Sequence, residues 1–304
     1  MVAPSGPERF MGLSLHGTAR SAPADAIGFE QNMEPAPSSS LPTFFLPHGG
    51  GPCFFMEWTM GPPDTWRKMA AWLGQLGASL GTRPKAAVVI SGHWEAEDFT
   101  LTSGAHPPLL YDYSGFPPAT YALEYPAPGS PALAERVVDL LGQAGIRARS
   151  DAERGFDHGV FIPFKVIYPQ ADVPLVQLSL QAGLDPATHL RAGRALAPLR
   201  KAGVLIAGSG MSYHNMRGLM SGGVLADSDR FDAWLTRAAC APAAPAREEM
   251  LEQWALAPAA RSAHPREEHL LPLMVAAGAG AEDLGRKVFT DRVLGATVSA
   301  FRFG

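Results

Sequence analysis

Three histidines follow short apolar runs of the type that forms buried parallel strands. His48 follows residues 43–47, His93 follows residues 87–92, and His214 follows residues 204–207 and a glycine-rich turn. In an open α/β sheet, ligands bind outside the carboxyl ends of the strands, so strand ends bring side chains from distant sequence positions to one place. Neutral imidazole is the commonest metal ligand among side chains. The three histidines therefore predict a metal centre at one edge of a sheet.

A fourth ligand candidate lies in the segment that contains His264, Glu268 and His269. Two histidines five positions apart on a helix point about 140° away from each other, so they cannot chelate one ion as a pair. Pro265 suits the first turn of a helix, which we expect to run to about residue 277. His269 would lie in its first turns and is the better ligand, with Glu268 as the competing choice if the site needs a carboxylate. His264 is expected at the helix start.

His158 lies between Asp157 and Gly159. An adjacent carboxylate favours the imidazolium form or fixes one tautomer, which suits an acid/base residue or a donor to an anion. A histidine in an ordinary turn is the alternative. His189 has no comparable neighbours and is expected on a solvent-facing helix.

Other kinds of site are less well supported by the motifs. Three histidines and a water would form a catalytic zinc sphere, so a zinc hydrolase stays open, although no HExxH motif is present. Residues 208–212 contain a serine among glycines but lack the G-x-S-x-G spacing of a nucleophile elbow. Neither a P-loop nor a G-x-G-x-x-G motif follows any predicted strand.

Strands alternate with helices along the chain, which predicts a single α/β domain with a mostly parallel central sheet flanked by helices. The predicted strands are residues 43–47, 86–90, 173–180 and 204–207, with a final strand-like run at 286–303. Helices are predicted at 64–80 with Asp64 as N-cap, and at 131–144, 186–202, 229–240, 247–256 and 265–277. The connection from 99 to 131, rich in proline and tyrosine, is expected to be a functional loop or a lid.

The composition narrows the functional class. The chain has 304 residues and a formal net charge of −4, which gives no electrostatic signature for nucleic acid or an anionic membrane. No apolar run approaches the roughly eighteen residues that span a bilayer. Two cysteines are too few for a disulfide framework and favour a reduced, cytoplasmic setting. Residues 1–40 lack a hydrophobic period and a secretory signal, and we expect a disordered or loosely attached tail before a domain at 41–304.

Six segments in a fixed order resemble the class III extradiol ring-cleavage dioxygenase superfamily, in particular its 4,5-DOPA dioxygenase-like branch. The resemblance covers residue 41 to the C-terminus. The segments are Phe45-Leu46-Pro47-His48-Gly49-Gly50, Ile90-Ser91-Gly92-His93-Trp94-Glu95, Arg154-Gly155-Phe156-Asp157-His158-Gly159, residues 168–179, residues 208–215, and residues 264–269.

The resemblance implies a catalytic domain with one non-haem divalent metal ion held by His48, His93 and His269. It places His214 beside the metal as an acid/base residue or a fourth ligand, and His158 in the substrate pocket. The implied cofactor is Fe(II) for oxygenase activity, with Zn(II) as the alternative occupant because an all-histidine sphere also suits zinc.

The implied function is a ring-opening dioxygenase that inserts O₂ into a catecholic, DOPA-like substrate, with His214 and His158 as catalytic residues. The implied partners are that small molecule and O₂, without nucleic acid or membrane, and an oligomer is left open. A non-catalytic metal-binding protein on the same scaffold, like the related Memo family, and a zinc hydrolase are the alternatives. The aromatic residues of the long connection would wall the substrate ring or serve as ordinary packing; they are Tyr111, Tyr113, Phe116 and Tyr121.

Overall fold

The computed structural model describes residues 40–221 and 225–304. The predicted N-terminal tail, residues 1–40, lies outside this part of the chain except for residue 40. The described residues form eight strands in one sheet. The strands are β1 (Thr43–Pro47), β2 (Ala86–Ala96), β3 (Phe99–Thr102), β4 (Ala148–Asp151), β5 (Leu175–Gln181), β6 (Val204–Gly210), β7 (Gly285–Val293) and β8 (Ala296–Phe303).

The strand order is β4-β3-β5-β2-β6-β1-β8-β7, and the four central strands β5, β2, β6 and β1 are all parallel to one another. Strands β3 and β8 pair antiparallel with the central strands next to them, and β7 pairs antiparallel with β8. The predicted α/β class with a mostly parallel central sheet is therefore confirmed, with antiparallel pairings confined to the flanks. Parallel strands end at the same edge, which is where β1 and β6 deliver the segments that carry His48 and His214.

Helices cover both faces of this sheet. They are α1 (Arg67–Ser79), α2 (Pro131–Gln143), α3 (His158–Ile167), α4 (Pro186–Leu196), α5 (Pro198–Lys201), α6 (Met216–Leu219), α7 (Ala226–Ala239), α8 (Ala244–Glu252), α9 (Ala260–Ala263) and α10 (Leu271–Ala279), with 3₁₀ helices at Pro118–Ala122 and Trp254–Leu256. None of the helices in the described ranges is long and apolar enough to cross a membrane.

Two hydrophobic cores lie on opposite faces of the sheet, because successive side chains of a strand point to opposite sides. In β2, Val88 and Ile90 belong to one core, together with residues of α2, α4 and α10. Ala87 and Val89 belong to the other core, which contains the buried sides of α1 and α3. All four strand residues are fully buried, which explains the continuous apolar run in the sequence.

Several element boundaries differ from the predictions. His93 lies inside β2 rather than after it, because this strand continues past residue 90 through a register shift between Ile90 and Glu95. Residues 99–102 form β3 and not the start of a loop. The strand-like run 286–303 is a hairpin, whose turn residues Leu294 and Gly295 both have positive φ.

The helix predictions need three corrections. The predicted helix at 186–202 is divided, because Pro198 has no N–H to continue the helix. Asp64 does not cap α1, since its carboxylate accepts a hydrogen bond from the Arg67 side chain instead. The helix predicted from Pro265 begins only at Leu271, so His269 precedes α10.

Candidate metal centre

The side chains of His48, His93 and His269 meet at the carboxyl edge of the sheet. The Nε2 atom of His93 lies 3.1 Å from Nε2 of His48 and 3.1 Å from Nε2 of His269. His48 and His269 are buried, while His93 is partly exposed. The three side chains come from the residue after β1, from within β2 and from the segment before α10. The structure thus brings together the three residues predicted as ligands.

The spacing of the three nitrogens suits a shared metal ion. With metal–nitrogen distances of about 2.1 Å, neighbouring nitrogens are about 3.0 Å apart at right angles and about 3.4 Å apart in a tetrahedron. The two separations of 3.1 Å fit ligands at nearly right angles. Imidazole nitrogens suit Fe and Zn alike, so the donor set alone does not select between them.

Hydrogen bonds on the far side of the rings direct Nε2 lone pairs toward the centre. The Ser209 hydroxyl donates to the carbonyl of Gly159, so His48 Nδ1 must donate to Ser209 Oγ at 3.0 Å. His269 Nδ1 donates to Glu268 Oε1 at 2.9 Å, since an ionised carboxylate only accepts. Both rings therefore carry their proton on Nδ1 and leave Nε2 free to bind a cation.

Burial keeps the three imidazoles neutral. Burial and the neighbouring imidazoles lower the pKa of His48 and of His269 well below the usual value. Burial, followed by repulsion from His158, lowers the pKa of His93 to about 3. Neutral imidazole is the form that binds a metal, so the group is ready for a cation at neutral pH.

Two glycines hold the His269 segment close to the sheet. A Cβ atom on Gly210 would lie 2.1 Å from the His269 carbonyl oxygen, and one on Gly92 would lie 3.0 Å from the Glu268 carbonyl oxygen. The backbone N–H of Met211 donates to the His269 carbonyl at 3.0 Å. The segment before α10 is thus fixed by backbone contact with β6 and β2, although it is not helical.

His214 packs directly against this group. Its ring stacks on that of His269, with centroids 3.4 Å apart and an interplanar angle of 17°. His214 Nδ1 lies 3.1 Å from Glu268 Oε1, the same oxygen that accepts from His269. Burial raises the pKa of Glu268 more than any other single influence, but the hydrogen bonds to its carboxylate and the charges of His214 and Arg266 together outweigh burial, and the pKa is lowered. Glu268, the competing ligand in the sequence, instead binds the Nδ1 side of both rings.

His158 lies on the other side of the centre, with its ring centroid 3.9 Å from that of His93. Its Nδ1 lies 2.8 Å from Asp112 Oδ1, which also accepts the backbone N–H of His158. Burial raises the pKa of Asp112 more than any other single influence, but the hydrogen bonds from His158 and the charges of His158 and His93 together outweigh burial, and the pKa is lowered. The prediction that the adjacent carboxylate of Asp157 acts on His158 is therefore wrong, because Asp112 takes that place.

Asp157 has a different environment from the one expected. Its carboxylate accepts from Ser91 Oγ at 2.7 Å and from the Gln177 side-chain amide. Burial raises the pKa of Asp157. Sequence reasoning missed Asp112, and the signal that could have found it is a lone acid in the Tyr111-Asp112-Tyr113 stretch of a connection already expected to be functional.

An apolar cavity of about 410 Å³ opens above the histidines. His48, His93, His158, His214 and His269 all line it. Of the predicted aromatic wall, Tyr113 and Phe116 line the cavity, whereas Tyr111 and Tyr121 do not. The Tyr113 hydroxyl donates to the Thr120 carbonyl, and burial raises the pKa of this phenol to about 12.

Of the histidines in the described ranges, His264 and His189 are also buried, outside this group. His264 Nε2 lies 3.1 Å from the Ser212 carbonyl oxygen, and burial lowers the pKa of His264 to about 3. His189 is fully buried, so its expected place on a solvent-facing helix is wrong.

Comparison with known proteins gives matches over most of the chain. The family described as the catalytic LigB subunit of aromatic ring-opening dioxygenase matches residues 42–302. The protein named 4,5-DOPA dioxygenase extradiol from Beta vulgaris is 38% identical, over 79% of this chain and 87% of that protein. The protein of the same name from Portulaca grandiflora is 41% identical, over 79% of this chain and 86% of that protein.

Two proteins from Escherichia coli are also similar to this chain. The Escherichia coli protein named 4,5-DOPA dioxygenase extradiol is 36% identical, over 80% of this chain and 86% of that protein. The crystal structure of an uncharacterized protein from Escherichia coli K12 superposes with a TM-score of 0.65 and 30% identity. That superposition covers 87% of this chain and all of the other.

Proposed function

Since the chain belongs to the LigB family of aromatic ring-opening dioxygenases, we propose that it is a metal-dependent extradiol dioxygenase that opens the ring of a catechol with O₂. The observation that carries the proposal is the convergence of the Nε2 atoms of His48, His93 and His269 below an apolar cavity. These residue types and this spacing suit a divalent cation within reach of a bound ring.

His48, His93 and His269 would hold the metal, for which we propose Fe(II), with Zn(II) as the alternative occupant. When bound, a redox-active ion supplies a common site for the catechol oxygens and O₂ and stabilises the charge that develops. The Nδ1 hydrogen bonds to Ser209 and Glu268 keep two of these rings in the tautomer that binds metal.

His214 is proposed as the residue that moves a proton during ring opening, with a role as a further ligand as the alternative. Its Nδ1 donates to Glu268, so the proton in transit is the one on Nε2. The carboxylate stabilises the imidazolium that forms when Nε2 takes a proton from the substrate hydroxyl. Stacking on His269 holds the ring in place during this transfer.

His158 is proposed to bind and orient the substrate oxygen. Its Nδ1 donates to Asp112, and its ring lines the cavity beside His93. The walls around these polar groups are largely apolar, so a bound ring excludes water and strengthens each hydrogen bond inside. The proposed setting is the cytoplasm, where the thiols of Cys53 and Cys240 stay reduced.

The test is anaerobic loading of the protein with Fe(II), followed by addition of a catechol and air. We expect O₂ uptake together with a yellow semialdehyde product. His93→Ala should lose both bound metal and turnover, whereas His106→Ala, which changes an exposed histidine that does not line the cavity, should keep both. Turnover that persists in His93→Ala, or a wild-type protein that binds Fe(II) without consuming O₂, would contradict the proposal.

A zinc hydrolase is the second candidate, because the all-histidine donor set suits zinc. The same experiment separates the two functions. Protein loaded with Zn(II) should consume no O₂, since zinc has no redox chemistry. Ester hydrolysis by the Zn(II) form, without O₂ uptake by the Fe(II) form, would favour the hydrolase.

A further inference from the structure

On the basis of the proposed ring-opening activity, we propose that the substrate is a catechol with an uncharged, apolar ring substituent and not one with an amino-acid side chain. Among the described residues that line the cavity there is no lysine, arginine, aspartate or glutamate. Its titratable groups are the five histidines, already engaged with the centre, and Tyr113, whose hydroxyl donates to Thr120. A carboxylate or ammonium group on the substrate would therefore enter this cavity without a side chain of permanent opposite charge, which is costly.

The cavity walls are shaped by large apolar side chains. Trp58 and Trp66 are each 6% exposed and pack edge to face, with centroids 5.3 Å apart. Met211 and Leu219 line the cavity as well and are almost fully buried. Specific ligand sites are lined mainly by such residues, and few polar groups orient the ligand. Apart from Ser114, the polar side chains among the described lining residues are the histidines and Tyr113, so the substituent faces mostly apolar surface.

The mouth of the cavity is largely apolar as well, with the exposed Ser114 as an uncharged exception. Met60, Met216 and Met220 line it and are 42%, 54% and 63% exposed. In the described ranges only seven large apolar side chains are exposed, and these three are among them. A contiguous group of exposed apolar residues marks a binding surface, and methionine adapts to apolar groups of different shape. The mouth is therefore suited to the passage of an apolar substituent.

Charged side chains do line the adjoining groove, which shares Met60, Leu219, Met220 and Leu294 with the cavity. These charges are already paired: Arg292 lies 2.8 Å from Asp229, which is outside the groove, and the other four pair with one another. Lys68 Nζ lies 3.0 Å from Asp291 Oδ1, and Arg67 lies 2.8 Å from Asp64. A carboxylate or ammonium group that reached the groove would have to compete with these ion pairs.

The first experiment compares matched substrates with the Fe(II)-loaded enzyme. L-DOPA and 4-propylcatechol share the three-carbon side chain, but only L-DOPA carries an ammonium and a carboxylate group. Dopamine, which carries an ammonium group, and 4-ethylcatechol form a second pair. We expect kcat/KM to favour the neutral member of each pair by at least about tenfold. Equal or better cleavage of L-DOPA would overturn the inference and leave the ring-opening activity intact.

Anaerobic calorimetry on the metal-loaded protein separates this inference from the proposed function. If no catechol is opened but 4-propylcatechol binds at least about tenfold tighter than L-DOPA, the proposed activity fails and the apolar preference stands. Equal binding of the two molecules would overturn the preference by itself.

A substitution at the mouth of the cavity tests whether the lack of a charged partner causes this substrate preference. Met216→Arg places a cation at an exposed position of the mouth, and it should shift the ratio of kcat/KM values at least about fivefold toward L-DOPA, because a carboxylate then has a partner. Two control variants should keep the wild-type ratio. Met216→Leu keeps the mouth apolar, and Leu256→Arg adds the same charge at an exposed residue that does not line the cavity. A ratio unchanged in Met216→Arg, with L-DOPA still the poorer substrate, would contradict the electrostatic cause.

Discussion

The imidazole rings of His214 and His269 are stacked 3.4 Å apart, and their Nδ1 atoms share one carboxylate oxygen of Glu268 at 3.1 and 2.9 Å. One acidic residue thereby sets the orientation of a proposed metal ligand and of a proposed acid/base residue. Loss of its charge should affect metal binding and proton transfer at the same time.

Glu268→Gln should lower metal affinity by about 10- to 100-fold, the usual effect of removing a carboxylate behind a ligating histidine. The amide cannot accept from both Nδ1 atoms as strongly as the carboxylate does. Metal titration against a competing chelator measures the loss. Glu267→Gln, which changes a carboxylate that accepts from Arg261, is the matched control and should bind metal normally. Equal affinity in both variants would contradict this role of Glu268.

His214→Phe should retain most of the bound metal and slow ring opening by about a hundredfold or more, the size of an acid/base contribution. Phenylalanine preserves the stacking on His269 but has no proton to transfer. Metal content and single-turnover rates measure the two effects separately. A near-normal rate would contradict the acid/base role, and complete loss of metal would favour His214 as a ligand.

Asp112→Asn should lower kcat by about tenfold or more with little effect on thermal stability. The substitution weakens the acceptor for His158 Nδ1 and removes a negative charge whose Oδ2 lies 3.6 Å from His93 Nδ1. Steady-state kinetics and a melting curve measure the outcome. Asp139→Asn, at an exposed position of α2, should change neither quantity. Full activity in Asp112→Asn would show that His158 needs no carboxylate.

Gly210→Ala should destabilise the protein by about 1–3 kcal/mol and weaken metal binding, because the new methyl group would overlap the His269 carbonyl. Gly142→Ala is the control. A Cβ at that position of α2 meets nothing within 4 Å, so alanine should leave metal binding unchanged and stabilise the helix by about 0.4–1 kcal/mol. Denaturant unfolding and metal titration check both variants, and wild-type affinity in Gly210→Ala would contradict the steric argument.

The sequence predicted those features that depend on local pattern. The apolar runs around Phe45, Val89 and Ile206 identified the central strands, because both faces of each strand are buried and the runs are continuous. The histidines near their ends followed from the topology of parallel strands. The pairing of these strands placed His48 and His93 together although 45 positions separate them.

Features that depend on tertiary contact were not predicted. Asp112 reaches His158 across a long connection, and no local pattern marks that pairing. His269 lies in a non-helical segment because backbone contacts with Gly210 and Met211 override the helix signal of Pro265. His189 was expected on a solvated face, yet α4 buries it against Phe99, with ring centroids 5.1 Å apart.

That buried histidine predicts a pH dependence of stability independent of the metal centre. His189 Nδ1 donates to the Asp185 carbonyl at 2.8 Å, and Nε2 accepts the Gln181 backbone N–H at 3.2 Å. A proton on Nε2 would break the second hydrogen bond, and burial lowers the pKa of His189 to about 4. The unfolded chain takes up this proton near the ordinary value of 6.5, so the stabilisation is present above that pH and is lost as the pH falls toward 4.

Between pH 7.5 and 4.5 this residue should account for a loss of about 2–3 kcal/mol in the free energy of unfolding. His189→Gln removes the titrating group. The variant should be less stable than the wild type at pH 7.5, because a buried hydrogen bond is weakened. The difference between their free energies of unfolding should shrink or reverse at pH 4.5, since only the wild type then loses stability through this imidazole. Urea unfolding of both proteins at the two pH values measures it, and a difference that stays constant with pH would contradict the assignment.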